Sequence, residues 1–324
     1  MKAKKILLLI ILITIIIGII VAIVIGESKD KSNVKYEVVA SNFASYDFLR
    51  AIIGDNKDVE LTFLLGPGKD AHSYDLTAGD LIKIQDSDLF VYVGGEMEKW
   101  SDKVLDSLDT TETEIICIAD FVGTIEEKKV DGAEEHDHED NEEEHHERGV
   151  FDEHIWTSPQ NAIKMVNALE KAMEKIDSEN ANTYKENANK YIAQIKDVDS
   201  KIQNIVDNKV RDRLIFADKM PMQYFIEYYK LKVSAAFDGC STEVDPSAKT
   251  IAYLQNKVKE EKIPVIIYIE LNPGTVAKTI ADETGAKEMQ IQTLHNVSLE
   301  DFNNGETWVS LMTRNIDVLK KALQ

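Results

Sequence analysis

Seven histidines carry the chemistry that stands out in this chain, and they fall into two groups. His136, His138, His145 and His146 sit inside the run Glu134–Glu147, EEHDHEDNEEEHHE, which holds no apolar residue. A segment this polar cannot recover the entropy of ordering, so a solvated loop is expected. Its histidine content adds metal binding to that expectation. The other three, His72, His154 and His295, stand singly along the chain. Neutral imidazoles suit Zn2+, which takes four donors in a tetrahedron with nitrogen at roughly 2.0–2.1 Å. A lone histidine is more often a surface or core residue than a ligand, so the positions of these three decide the matter.

All three fall on loops. His72 lies in Gly66-Pro-Gly-Lys-Asp-Ala-His-Ser-Tyr74, directly after the strand pattern Val59–Leu65, which the Gly-Pro-Gly turn cannot continue. His295 lies in Leu294-His-Asn296, directly after a strand pattern over Met289–Thr293. His154 lies in Asp152-Glu-His-Ile-Trp156, just before a helix whose start is marked by Ser158-Pro159. In open parallel sheets, ligands bind in the crevice beyond the carboxyl ends of the strands. Ligating histidines pass their other N–H to a carboxylate or carbonyl, a role open to Asp70 for His72 and to Asp152 or Glu153 for His154. From the residues alone, the expectation is a zinc site between two lobes.

The elements that must position these loops alternate. Strand patterns over Tyr36–Ser41, Val59–Leu65, Leu89–Val93 and Ile115–Ile118 are separated by helical ones, and Thr77-x-x-Asp80 forms a capping box. A second alternation has strands at Leu214–Ala217, Val233–Phe237, Pro264–Ile269 and Met289–Thr293. Between them Tyr184, Ala188, Tyr191, Ile195, Val198, Ile202 and Ile205 advance by fours and threes, one stripe on a long helix. Two tyrosines and an alanine make a poor coiled-coil seam, so a rigid connector packed on both halves is predicted. The fold class is therefore α/β: two Rossmann-like parallel-sheet lobes on one long helix, with the metal site in the cleft. The organisation read is an anchor or signal over 1–30 and a first lobe over 31–177 containing the His- and acid-rich loop 131–148. A linking helix over 178–210 and a second lobe over 211–324 complete it.

Composition narrows the function. The 324 residues carry a formal charge of −21, and phosphate binding needs basic patches, so nucleic acid is excluded as a partner. The segment Asp131–Glu147 supplies ten acids and no Lys or Arg, about half of that excess. Ile6–Ile25 is uncharged and interrupted only by Thr14 and Gly18; at roughly 1.5 Å per residue it reaches about 30 Å, one hydrocarbon core. Lys2, Lys4 and Lys5 precede it and should stay cytoplasmic, leaving the polar remainder outside. A secretory h-region is usually shorter, so an uncleaved anchor is read ahead of a signal peptide. The only cysteines, Cys117 and Cys240, stand too far on to carry a lipid and give no disulfide framework.

At the histidine blocks the chain resembles a known family. Gly66–Tyr74, then Asp88-Leu-Phe-Val-Tyr-Val-Gly-Gly95 and Met97-Glu-Lys-Trp100, look like the first-ligand block of the zinc/manganese ABC-transporter solute-binding proteins. Asp152-Glu-His-Ile-Trp-Thr-Ser-Pro-Gln-Asn-Ala162 resembles their second block, and Glu243-Val-Asp-Pro-Ser247 with Ile263–Glu270 fit the second lobe. The resemblance runs from about Tyr36 to the C-terminus. It implies Zn2+, with Mn2+ second, held in the cleft and delivered to an ABC permease and its ATPase at the extracytoplasmic face of the membrane. The family's usual third histidine follows the first strand of the second lobe, where Phe216-Ala-Asp-Lys-Met-Pro221 has none. His295 stands near where the family offers a carboxylate, so the ligand set is read as rearranged, with His295 restoring a third imidazole. The fourth position is left to Asp218 first, with Cys240, Glu270 and water behind it.

Two other classes share part of this pattern. Three histidines on zinc with an open position is also a catalytic arrangement, which makes a zinc-dependent extracellular hydrolase one alternative. No His-Glu-x-x-His motif supports it. A metal-stabilised adhesin is the other. The four histidines of the acid loop are read as collecting Zn2+ loosely and raising its concentration near the cleft.

Overall fold

The computed structural model describes residues 34–107, 111, 113–133, 151–239 and 245–324. Ile6–Ile25, the loop with His136, His138, His145 and His146, and Cys240 lie outside the described residues. Among the described residues, no helix is long and apolar enough to cross a membrane.

Short runs of β-branched and aromatic residues build two four-stranded sheets. The first contains β1 (Tyr36–Ala40), β2 (Val59–Phe63), β3 (Leu89–Tyr92) and β4 (Glu114–Cys117) in the order β2-β1-β3-β4. The second contains β5 (Arg213–Lys219), β6 (Lys232–Phe237), β7 (Val265–Ile269) and β8 (Lys287–Ile291) in the order β6-β5-β7-β8. Every pairing is parallel. The two orders are the same topology used twice. Central strands such as Val38–Ala40 and Leu214–Ala217 are buried on both faces, which is why they read as continuous apolar runs.

The connector is the helix Ala181–Asp207, 27 residues and about 40 Å at 1.5 Å per residue. All seven residues of the predicted stripe are buried, and Ile192 and Val206 widen the buried face. It packs on the helices Phe43–Ile53 and Pro159–Ile176 on one side and on the terminal helix Trp308–Leu323 on the other. The terminal helix lies in turn against β5, β7 and β8. One apolar cluster therefore continues from the first lobe through the connector into the second. Each fully buried side chain in it, Ile195 or Ile202 for example, contributes about 1.5–3 kcal/mol relative to exposure. Asp47 pins the junction: it pairs with Arg50, accepts the Tyr191 hydroxyl of the connector, and accepts Trp308 N at 2.7 Å.

The segment after β4 makes a second crossing between the lobes. Asp131 forms a parallel bridge with Ser234 at the β6 edge. Its carboxylate accepts Ser234 Oγ at 2.9 Å, Tyr253 OH at 2.5 Å and Arg213 Nη1 at 3.1 Å.

Local signals met two outcomes. The capping box predicted at Thr77 is present, with Asp80 N donating to Thr77 Oγ1 at 3.3 Å and Thr77 N to Asp80 Oδ2 at 3.1 Å. Ser158 takes the N-cap position before Pro159, but its side chain makes no capping bond. Proline at the first helical position leaves one fewer unpaired N–H in the first turn. The last strand, predicted over Met289–Thr293, ends at Ile291. Side-chain oxygens take the amides that would have extended it: Gln292 N donates to Asn315 Oδ1 and Thr293 N to Glu270 Oε2, both at 2.8 Å. That early exit turns the chain toward the cleft.

Candidate metal centre

Each histidine is aimed by a carboxylate. Asp70 caps the short 3-10 turn Ala71–Ser73, its Oδ1 accepting His72 N at 2.9 Å. Asp152 Oδ1 accepts His154 N at 2.8 Å and lies 3.1 Å from His154 Nδ1, which leaves Nε2 as the outward nitrogen. Glu153, the other partner considered for His154, instead accepts Met97 N at 2.8 Å. That contact needs Gly95, whose φ of +82° and missing Cβ leave room for the Glu153 side chain; a Cβ there would stand 2.5 Å from Glu153 Cγ. In the second lobe Glu270, buried at the end of β7, accepts Thr293 Oγ1 at 2.8 Å and His295 N at 3.1 Å. Leu294 adopts φ +60° between them, the strained turn that Glu270 holds in place.

These loops meet. One donor nitrogen each from His72, His154 and His295 lies within 4.8 Å of the other two. The Nε2 atoms of all three are buried without a hydrogen-bond partner. Ring centroids are 5.0 Å apart for His72 and His295, 5.2 Å for His154 and His295, and 6.1 Å for His72 and His154. Buried polar nitrogens are ordinarily satisfied, so three without a partner, on rings this close together, mark a place built for a ligand.

The lobes are clasped around that place. Trp156 Nε1 donates to Thr293 O at 3.0 Å, joining the chain two residues after His154 to the chain two residues before His295. Trp308 Nε1 in turn donates to Trp156 O at 2.9 Å. Asn296 Nδ2 donates to Gly66 O at 3.0 Å and Lys69 O at 2.5 Å, and Gly68 N donates to Val297 O at 2.8 Å. Lys219 Nζ lies 3.5 Å from Asp70 Oδ2 across the cleft.

Electrostatics favours neutral imidazoles. Burial, with the neighbouring His154, holds His72 down at about 4. Burial, then His154 and His72, hold His295 well below its ordinary range. Burial also pulls His154 down, but the charge and hydrogen bond of Asp152, with Glu153, outweigh it and leave His154 raised. Burial thus favours the neutral form at His72 and His295, in which one ring nitrogen of each keeps a free lone pair.

Asp218, expected first for the fourth position, is not brought into the group. Its Oδ1 accepts Lys219 N at 2.8 Å and its Oδ2 accepts Ile269 N at 3.3 Å. Glu270 is likewise spent on backbone amides and a hydroxyl, so it positions a histidine rather than joining the set. Asn296, Trp156 and Lys219 carry weight in the cleft that the sequence did not single out. Their only advance signal was adjacency to a histidine block or to the strand end that lacks one.

Comparison with known proteins settles the relationship. The model of the family described as ZnuA, zinc-uptake complex component A, periplasmic, matches residues 38–322. This chain belongs to that family. It is 31% identical over 296 residues to the high-affinity zinc uptake system protein ZnuA of Bacillus subtilis, covering 91% of this chain and 90% of that one. It is also 31% identical to the zinc-binding lipoprotein AdcA of Streptococcus pneumoniae, covering 91% of this chain but only 57% of the lipoprotein. The Zn(II)-bound ZnuA-like domain of that AdcA superposes with a TM-score of 0.72 at 28% identity, over 89% of this chain and 99% of the domain. The metal-dependent lipoprotein YcdH of B. subtilis gives 0.75 at 27% identity, over 90% and 100%. Membership in a zinc-uptake family sets the hydrolase reading aside.

Proposed function

We propose that this chain is the extracytoplasmic zinc-binding component of an ABC importer, which captures Zn2+ between its lobes and hands it to a membrane permease driven by an ATPase. The observation that carries the reading is that His72, His154 and His295, on loops of both lobes, bring one ring nitrogen each within 4.8 Å of the others, while their Nε2 atoms are buried without a hydrogen-bond partner. His72, His154 and His295 hold the ion, and the fourth position is filled from solution. Borderline-soft Zn2+ matches imidazole donors better than Mn2+, which favours carboxylate oxygen. The wrapped site explains both capture and the need for a partner. An ion enclosed by Trp156, Asn296 and Lys219 leaves only when the lobes part, and a permease that grips both lobes supplies that opening.

Ile6–Ile25 anchors the chain at the extracytoplasmic face of the cell membrane. Relatives are described as lipoproteins, but here the cysteines stand only at 117 and 240. The loop histidines His136, His138, His145 and His146 collect Zn2+ loosely and raise its concentration near the cleft.

Competition titration of the metal-stripped chain tests the reading. One Zn2+ should bind tightly and reversibly, apo lobes should stay folded, and alanine at His72, His154 or His295 should abolish tight binding. Removing residues 134–147 should leave the affinity intact and slow capture when zinc is scarce. Unfolding on chelation would instead indicate a purely structural metal, the adhesin alternative.

A further inference from the structure

The second lobe presents a cation to the cleft as well as an imidazole. Lys219 is the last residue of β5, and the β5–β6 register slips between Phe216 and Lys219: Phe216 faces Ala235 and Lys219 faces Phe237. Three steps on β5 match two on β6, a bulge, and bulges beside functional sites re-aim a side chain. Here the re-aimed chain crosses the cleft toward Asp70, the residue that caps His72. Its side chain is only 9% exposed. An ammonium has three N–H donors, yet among the described residues Lys219 Nζ has one acceptor, Asp70 Oδ2, at the limit of hydrogen-bond range. Its charge also acts on both His72 and His295, lowering each.

A buried, under-used ammonium beside a divalent ion is unfavourable unless something negative lies between them. The protein offers nothing for that role from Asp218 or Glu270, whose oxygens are bound to backbone amides. Three neutral imidazoles leave both the full metal charge and one coordination position open. We propose that Lys219 creates a small-anion site at that fourth position: its ammonium donates to a chloride or hydroxide that bonds the metal held by His72, His154 and His295. This rests on the zinc-site reading above. Chloride comes from the medium, and hydroxide forms when metal-bound water, which the metal makes acidic near neutrality, gives one proton to the solvent. The anion converts Lys219 from a repulsive neighbour into a hydrogen-bond donor.

The test compares zinc affinity of the full chain in sodium chloride and in weakly coordinating sodium perchlorate, at equal ionic strength and pH. The wild type should bind roughly tenfold tighter in chloride, the effect of one hydrogen bond to a charged group. Lys219→Met should bind Zn2+ with the same affinity in the two salts, having lost the donor that holds the anion. Lys219→Arg should keep the chloride response. With Co2+ in place of Zn2+, the visible spectrum of the wild type should change on adding chloride and, in perchlorate, on raising pH through neutrality. Lys219→Met should need a pH about one unit higher, for the loss of one such hydrogen bond. Equal wild-type affinity in both salts, with a cobalt spectrum indifferent to chloride and pH, overturns the proposal. So does an unchanged chloride response in Lys219→Met, or loss of zinc by that variant in both salts, which would make Lys219 a need of the metal itself. Failure of the wild type to bind one Zn2+ at all would instead remove the zinc-site reading.

Discussion

The first sheet delivers two imidazoles to the cleft, His72 from the loop leaving β2 and His154 from the turn before Pro159–Ile176. The second sheet has the same strand order but delivers one imidazole, beyond β8, and one ammonium, at the end of β5. The first lobe thus holds two donors with its own Asp70 and Asp152, and it has the makings of a half-site without help. His295 completes the set only when Trp156, Asn296 and Gly68 keep the lobes together. Equal topology with unequal donors makes the third ligand a measure of closure.

The largest expected effect breaks the seam on which that contrast depends. Trp308→Ala empties a fully buried site at the junction of connector, terminal helix and ligand loops. It should cost about 3–5 kcal/mol in denaturant unfolding; a loss under 1 kcal/mol would mean the lobes do not lean on each other there. Next, His154→Ala removes the most buried donor, so zinc affinity should fall on the order of a hundredfold or more in competition titration. If His295→Ala cost more than His154→Ala, the first lobe would not be the half-site described. Glu270→Gln keeps the shape but weakens the hold on Thr293 and His295 N, and it should lower affinity by about 10–100-fold. Asp218→Asn, at a carboxylate that accepts the amides of Lys219 and Ile269, should leave affinity nearly unaltered.

Acidification sharpens the comparison further. Metal and proton compete for the same nitrogens, and His154 is the imidazole raised above its ordinary 6.5. Affinity should therefore weaken by up to about tenfold per unit as pH falls through the titration of His154. His72, held at about 4, should add to the slope only near that pH. Two-proton loss already at pH 6 would show that His72 or His295 is not depressed. Asn296→Ala frees two carbonyls of the His72 loop and loosens the clasp between the lobes. Zinc dissociation should quicken on the order of ten- to thirtyfold, in line with about 1 kcal/mol for each of the two lost hydrogen bonds, with little change in how fast zinc enters.

Much of this was legible in advance, for identifiable reasons. Strand and helix periodicities are local, so β1 to β8 and the connector stripe could be read within a few residues of their ends. The capping box at Thr77 is a four-residue signal and was equally plain. His72, His154 and His295 were readable because each follows or precedes an element end. The overlong reading of β8 failed because Asn315 and Glu270, 23 residues away in either direction, claim the amides of Gln292 and Thr293.

By itself the sequence determined the alternation of elements, the seam of the connector and the presence of three histidines at element ends, because these depend on side-chain type and spacing within a single segment. The tertiary structure alone decided which acids face the cleft. Asp218 meets the amide of Ile269, 51 residues on, and Glu270 meets that of His295, 25 residues on. A carboxylate becomes a ligand or a backbone acceptor according to which donor lies within about 3 Å once the strands are side by side, and that proximity is set by the packing of distant segments rather than by any pattern along the chain.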